Sequence, residues 1–326
     1  MNDSSEHSSK ALVGIARLAA MSPELRERAE VSYYSIASRS VLNRESSGRM
    51  PFAWTINPYR GCEFGCKYCY ARYTHEFMEM RDGLDFERKI YAKTAAPETL
   101  RAELRLARDK GLPIALGTAT DPYQPAEKQF EITRRMLEAL GEFEGIQLSI
   151  TTKSVLILRD LALLIALASR HSLRIHVTVT TTNGRLARRL EPKAPPPAKR
   201  LEAVARLVNA GIYAGVNAAP ILPGLTDSPA ALENLARAAS GAGAKFFHAN
   251  PLYLMPSAMR QFMPFLERDF PHLVRRYRSL FARSAYLPQD YKEALSARVQ
   301  ELRSRYRLDG SSPPPVPIPR QLSLCL

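Results

Sequence analysis

From Pro51 onward the chain alternates short β-branched or apolar runs with amphipathic helical patterns. This alternation limits its fold more than any other feature. The runs Phe52–Ile56, Pro113–Thr118, Ile146–Thr151, Leu173–Thr180, Tyr213–Ala218 and Ala244–Ala249 predict six strands. Helical periodicity lies between them at Pro97–Lys110, Lys128–Glu142, Leu158–Ser169, Ala198–Asn209 and Pro229–Ser240. Strands separated by helices pair in parallel through right-handed crossovers. Glycines at 111, 145, 211 and 243 stop helices ahead of strands. An α/β fold follows, and both an open six-stranded barrel and a doubly wound sheet satisfy the pattern. In either one, ligands bind at the C-terminal ends of the strands. Polar residues gather there in Thr118-Ala-Thr120-Asp121, Thr152-Lys153 and Thr180-Thr-Thr-Asn183.

The flanks read differently. Residues 1–48 predict an extension with a short helical pattern at Ala11–Ala20 and no fold of its own, ahead of a core over 49–255. Residues 256–310 predict a basic helical cap, and 311–326 a proline-rich extended tail. The polar start MNDSSEHSS has no signal-peptide character. The longest apolar run, Leu161–Ala168, is far short of the roughly 20 residues that cross a bilayer. A cytoplasmic protein with no membrane partner is expected.

Four cysteines are too few for a disulfide framework, and Cys62, Cys66 and Cys69 crowd one short segment directly after the first predicted strand. Three thiolates on one loop hold three corners of a cubane [4Fe-4S] cluster and leave the fourth iron without a protein ligand. Gly61 and Gly65 give that loop the backbone freedom it needs. Structural zinc with His75 as fourth ligand is the alternative, in a non-catalytic nucleic-acid-binding module. The formal charge of +14 suits a DNA or RNA partner. Basic residues are dense at Arg185, Arg188, Arg189, Lys193, Lys199 and Arg200, and again at Arg275, Arg276, Arg278 and Arg283.

Cys62-x-x-x-Cys66-x-x-Cys69 with Tyr68 before the last cysteine resembles the signature of the radical S-adenosylmethionine (SAM) superfamily. Asn57-Pro-Tyr-Arg-Gly-Cys62, Thr120-Asp-Pro-Tyr-Gln-Pro-Ala-Glu127, Thr151-Thr-Lys-Ser154 and Pro220-Ile-Leu-Pro-Gly-Leu225 resemble the branch that includes spore photoproduct lyase. The likeness covers roughly residues 50 to 255. It implies a partial (β/α)6 TIM-like barrel of the radical SAM type, a [4Fe-4S] cluster on Cys62, Cys66 and Cys69, and S-adenosyl-L-methionine chelated at the open iron. An external low-potential electron donor would reduce the cluster. Cleavage of the sulfonium bond would give a 5′-deoxyadenosyl radical that takes hydrogen from a substrate, in lyase-like DNA repair or nucleic-acid modification, or on a peptide or small metabolite.

The resemblance also assigns residues. Tyr68 would lie near adenine, and Lys153 would meet the methionine carboxylate. Thr118, Thr120 and Asp121 would stand where the superfamily often has a Gly-Gly-Glu that binds the methionine amino group. By position rather than by resemblance, Thr178 and Thr180, alternating on one face of the fourth strand, are expected at the ribose, and Asn217 with the 220–224 loop and Ile221, at the fifth-strand exit, at adenine. Spore photoproduct lyase is expected to use a cysteine outside the cluster as hydrogen donor. Here the only other cysteine is Cys325, so Tyr70 and Tyr123 are the candidate donors.

Overall fold

The computed structural model describes residues 12–28, 30–48, 50–106, 113–310 and 313. Its strands in chain order are β1 (Glu24–Arg28), β2 (Val31–Ser35), β3 (Asn43–Arg44), β4 (Trp54–Ile56), β5 (Tyr59–Arg60), β6 (Lys89–Ala92), β7 (Pro113–Leu116), β8 (Gln147–Thr152), β9 (Ser172–Thr178), β10 (Ala214–Ile221) and β11 (Phe247–Pro251). All six expected strands form, as β4, β7, β8, β9, β10 and β11. They lie side by side in that order with parallel register, and β3 pairs antiparallel on the β4 edge. A doubly wound sheet would reverse its strand order at a switch point. This order never reverses, and β3 and β11 are not paired with each other. The sheet is therefore an open partial barrel.

The winding follows from one-sided burial along each strand. On β9, Leu173, Ile175 and Val177 are buried within the same apolar core as Leu164, Leu167, Val204 and Leu207 of the crossover helices. Arg174, His176 and Thr178 take the opposite, concave face, where Thr178 is in register with Asn217 and Asn217 with His248. Four crossover helices form close to where periodicity puts them, at Ala96–Leu106, Leu161–Arg170, Pro197–Asn209 and Pro229–Gly241. The expected helix over Lys128–Glu142 is broken instead into Glu127–Phe130 and Ile132–Leu140 by Glu131 at φ +50°. An additional helix, Gly184–Leu190, starts where the Asn183 side chain accepts from the Arg185 and Leu186 N–H groups.

His176 tests the concave face. Its ring lies 4.8 Å from Phe246 and 5.7 Å from His248. Burial, reinforced by His248 and Arg174, pushes it down to about 3. It is therefore neutral in the fold but protonated below about 6.5 when unfolded, so its contribution is complete above 6.5 and is lost as pH falls toward 3. Urea denaturation should show about 2 kcal/mol lost between pH 8 and pH 5 through this group. The His176→Gln variant should lose correspondingly less; equal losses in both proteins would reject the assignment.

The N-terminal segment differs from expectation. Residues 24–35 form a hairpin, β1–β2, in a second sheet of order β1-β2-β6-β5, with β2 parallel to β6. β3 meanwhile joins the barrel sheet. The segment folds because Val31, Tyr33 and Ile36 are buried and the Tyr33 hydroxyl donates to Glu63 Oε2 at 3.0 Å, beside Cys62. The hydrophobic alternation was too short to reveal this.

At the other end, Pro256–Asp269, Val274–Leu280 and Gln289–Arg305 are helical. The last of these packs on β11 and on helix Pro229–Gly241, extending the outer helical layer. Ala11, Lys110, Gly111 and nearly all of the proline-rich tail, including Cys325, lie outside the described residues.

Candidate active site

The cysteine loop leaves β4 at the C-terminal end of the parallel strands. Cys62 and Cys66 are buried, Cys69 is half-buried, and all three are free thiols. The Cys62 N–H donates to Phe86 O at 2.9 Å and the Cys69 N–H to Cys66 O at 3.2 Å. Gly61 has φ +82°, and a Cβ there would stand 2.8 Å from both the Phe86 and Lys89 carbonyl oxygens. No other residue fits that close pass. Arg72 clamps the loop from beneath, donating to Cys66 O at 3.1 Å and pairing with Glu87 at 2.9 Å.

The donor set suits an iron–sulfur cluster. Burial pushes the Cys66 thiol up to about 12, and burial with the charges of Asp121, Cys66 and Cys69 raises Cys62 well above its ordinary value. A metal cation would compensate the buried Cys62 and Cys66 thiolates. His75 is committed elsewhere: Nε2 is 3.0 Å from Lys89 O, and the ring lies 5.2 Å from Phe86 and 6.1 Å from Tyr91. The zinc alternative thereby loses its fourth ligand. Among the described residues, no three His, Cys, Asp or Glu side chains group as a ligand set for a single metal ion.

Two buried polar networks fix the loop against the barrel. In the first, Asp121 Oδ1 accepts from Thr152 Oγ1 at 2.6 Å and Tyr123 N at 2.9 Å, and Oδ2 accepts from Lys153 N at 2.7 Å. Thr120 Oγ1 donates to Gly61 O at 2.6 Å. Gln124, fully buried, donates to the same carbonyl at 3.1 Å and accepts from Glu63 N at 3.0 Å. Glu127 takes the Tyr59 hydroxyl at 2.5 Å and pairs with Arg159 at 2.8 Å. Much of the Thr120–Glu127 motif is therefore scaffold, tying the exits of β4, β7 and β8 together.

The second network centres on Glu191, for which the sequence pattern gives no functional signal. It accepts the Tyr68 hydroxyl and pairs with Arg200 at 2.6 Å, and both charged side chains are buried. Arg200 also donates to Thr178 O at 3.1 Å and Pro195 O at 2.6 Å. Burial would raise Glu191, but Arg200 and Lys153 outweigh it and hold the carboxyl below its ordinary value. Backbone bonds Lys67 N to Leu190 O at 2.9 Å and Lys193 N to Phe64 O at 3.3 Å add to the strap. Arg200 is thus removed from the expected phosphate-facing patch. Arg189, Lys199, Arg276 and Arg278 pair with Asp269, Glu202, Asp227 and Glu267. Arg185, Arg188, Lys193, Arg275 and Arg283 are exposed and form no ion pair among the described residues.

The remaining candidates sort by position. The Lys153 ammonium lies 5.9 Å from the centre of the Tyr68 ring, over its face. Thr118 Oγ1 accepts from Asn57 Nδ2 at 3.1 Å, and its carbonyl accepts the Tyr70 hydroxyl. Thr178 ends β9 on the concave face; Thr180 lies beyond the strand, its hydroxyl 3.4 Å from Glu191. Asn217 Oδ1 is buried without a hydrogen-bond partner. Ile221 is fully buried at the exit of β10. Of the two candidate hydrogen donors, Tyr70 is 40% exposed and follows Cys69, whereas Tyr123 is enclosed in the core.

The description of the radical SAM superfamily matches residues 56–236, over half of the chain. The protein belongs to the radical SAM superfamily. An uncharacterised protein of Mycobacterium tuberculosis is 38% identical over 288 residues, 88% of this chain and 84% of that relative. One of Methanocaldococcus jannaschii is 30% identical over 218 residues, 67% of this chain and 76% of the relative. Spore photoproduct lyase complexed with dinucleoside spore photoproduct superposes with a TM-score of 0.61 at 14% identity, over 84% of this chain and 79% of that one. At that identity the likeness is one of fold. Membership in the radical SAM superfamily implies a [4Fe-4S] cluster and S-adenosylmethionine. No helix among the described residues is long and apolar enough to cross a membrane.

Proposed function

We propose that the protein is a radical SAM enzyme that acts on nucleic acid in the cytoplasm, in a lyase-like repair or a modification reaction. The observation that carries the reading is the grouping, at one barrel mouth, of three loop thiols and the Lys153 ammonium over Tyr68; exposed arginines without acid partners among the described residues support the choice of nucleic acid. When bound, cluster and cofactor supply reductive cleavage of the sulfonium C–S bond and a 5′-deoxyadenosyl radical that takes hydrogen from the substrate.

The chain's own residues bind, orient and exclude water. Cys62, Cys66 and Cys69 hold three irons. Lys153 offers its charge to the methionine carboxylate, with Thr118 on the amino-group side and Thr120 and Asp121, already bonded to Gly61 O and to Thr152, Tyr123 and Lys153, holding that side in place. Tyr68, Asn217 and Ile221 serve the adenine, and Thr178 and Thr180 the ribose. Tyr70, the exposed phenol beside the cluster loop, is the hydrogen donor to the product radical. An external low-potential donor provides the electron.

The test is reductive cofactor cleavage. Protein reconstituted anaerobically to about four irons per chain should release 5′-deoxyadenosine when given S-adenosylmethionine and dithionite. Fully loaded protein that forms none would overturn the proposal.

A further inference from the structure

Five aromatic rings run across the barrel mouth, beginning immediately after the last cysteine of the loop. Tyr70 lies 6.4 Å from Tyr73, nearly parallel at 22°, and 6.3 Å from Tyr253. Tyr73 continues to Phe77 at 5.5 Å, and Tyr253 stacks on Tyr286 at 4.5 Å and 29°. The rings come from three separate parts of the chain: the cluster loop and the helical turn after it, the segment after β11, and the helical cap. Backbone pairing holds the far end in place, through a bridge between Tyr253 and Tyr286 and a 2.9 Å bond from Leu254 N to Ala285 O.

Apolar burial does not account for this row. Tyr70 is 40% exposed, Tyr286 49% and Phe77 61%. Rings brought from distant positions to stack on one another, with Tyr70, Phe77 and Tyr286 left exposed, offer faces to something outside the chain. A cation lies close in sequence at one end of the row: Arg283, exposed and without an acid partner among the described residues, stands three positions before Tyr286, and the chain carries +14 overall. Aromatic faces at stacking distances beside cations are the surface to which single-stranded nucleic acid binds, because every unpaired base offers a π-face and every phosphate a charge.

We infer that Tyr70, Tyr253 and Tyr286 form a stacking platform for unpaired bases that leads a single strand, or a strand opened from a duplex, to the cluster loop. The inference rests on the nucleic-acid reading above and narrows the substrate to bases free of their partners. A base on Tyr70 would lie at the loop; those on Tyr253 and Tyr286 would anchor the flanking strand. A peptide bound on the same rings is the competing occupant, and the experiment separates the two.

Iron-loaded full-length protein would be titrated with a fluorescent single-stranded oligonucleotide of about 12 nucleotides, its duplex and a polyglutamate peptide, with anisotropy read across salt. The single strand should bind most tightly. Tyr286→Ala and Tyr253→Ala should each weaken it about tenfold without changing the salt dependence, and Tyr286→Trp should restore it. Arg283→Ala should instead make the salt dependence shallower, by about one unit of slope. Alanine variants that bind as tightly as wild type, equal affinity for the duplex, or preference for the peptide would each overturn the platform. Release of 5′-deoxyadenosine without oligonucleotide should be unchanged in Tyr286→Ala. Wild type that binds single strands yet forms no 5′-deoxyadenosine would remove the radical reading and leave the platform. Cleavage without strand binding would do the reverse.

Discussion

Replacing Cys62, Cys66 or Cys69 with alanine is expected to abolish 5′-deoxyadenosine formation, a loss of at least a thousandfold, together with the brown colour and most of the iron. On the proposed reading each thiolate would hold a different corner of the cluster, so the remaining two would not keep it. The physical case lies in the loop. Burial and the neighbouring thiols disfavour ionised Cys62 and Cys66 there, so a compensating metal is what would make these sulfurs ligands. Removing one thiol leaves the other two in the same apolar surroundings with less to hold the metal. Folding of the variants is checked separately by far-UV circular dichroism, since Cys66 also packs in the apolar cluster with Phe64 and Leu190. Variants that fold, retain full iron and cleave the cofactor at the wild-type rate would show that these residues are not the ligands.

The second large effect is on stability. Glu191→Ala should cost about 3–5 kcal/mol in urea denaturation. The variant leaves the Arg200 guanidinium 1% exposed with no counter-charge, and deprives the Tyr68 hydroxyl of its acceptor. Burying the ion pair costs both partners their hydration, so removing both charges should hurt far less than removing one. The double variant Glu191→Leu with Arg200→Met should recover most of the loss. A single variant within about 1 kcal/mol of wild type would mean that water reaches the pair and that the strap contributes little. The same contrast has a functional reading. Tyr68 sits between two cluster cysteines, so Glu191→Ala should also loosen the loop and lower iron retention at equal folded fraction.

Expectation and structure part at identifiable residues. The barrel strands were legible because their signal is local: Leu173, Ile175 and Val177 alternate within one strand, and burial on one face follows from that period alone. The hairpin at residues 24–35 was not, since charged residues fill β1 (Glu24, Arg26, Glu27, Arg28), and β2, on which it pairs, has its other partner β6 over fifty residues away. Helix Gly184–Leu190 was masked in the same way by its arginines, although Asn183 carried the N-cap signal.

The amino-acid sequence by itself determined the α/β alternation and the trio of cysteines that, with their neighbours, mark the family. Spacing along a chain is enough to set which side chains share a face and which thiols share a loop. Tertiary structure alone decided that the strands wind in one direction into an open barrel, that Glu191 reaches back across 123 positions to Tyr68, and that Tyr70, Tyr253 and Tyr286 meet at one mouth. These contacts join residues far apart in the chain. Their energy comes from desolvation and packing that exist only after the crossovers close, and no local period records them.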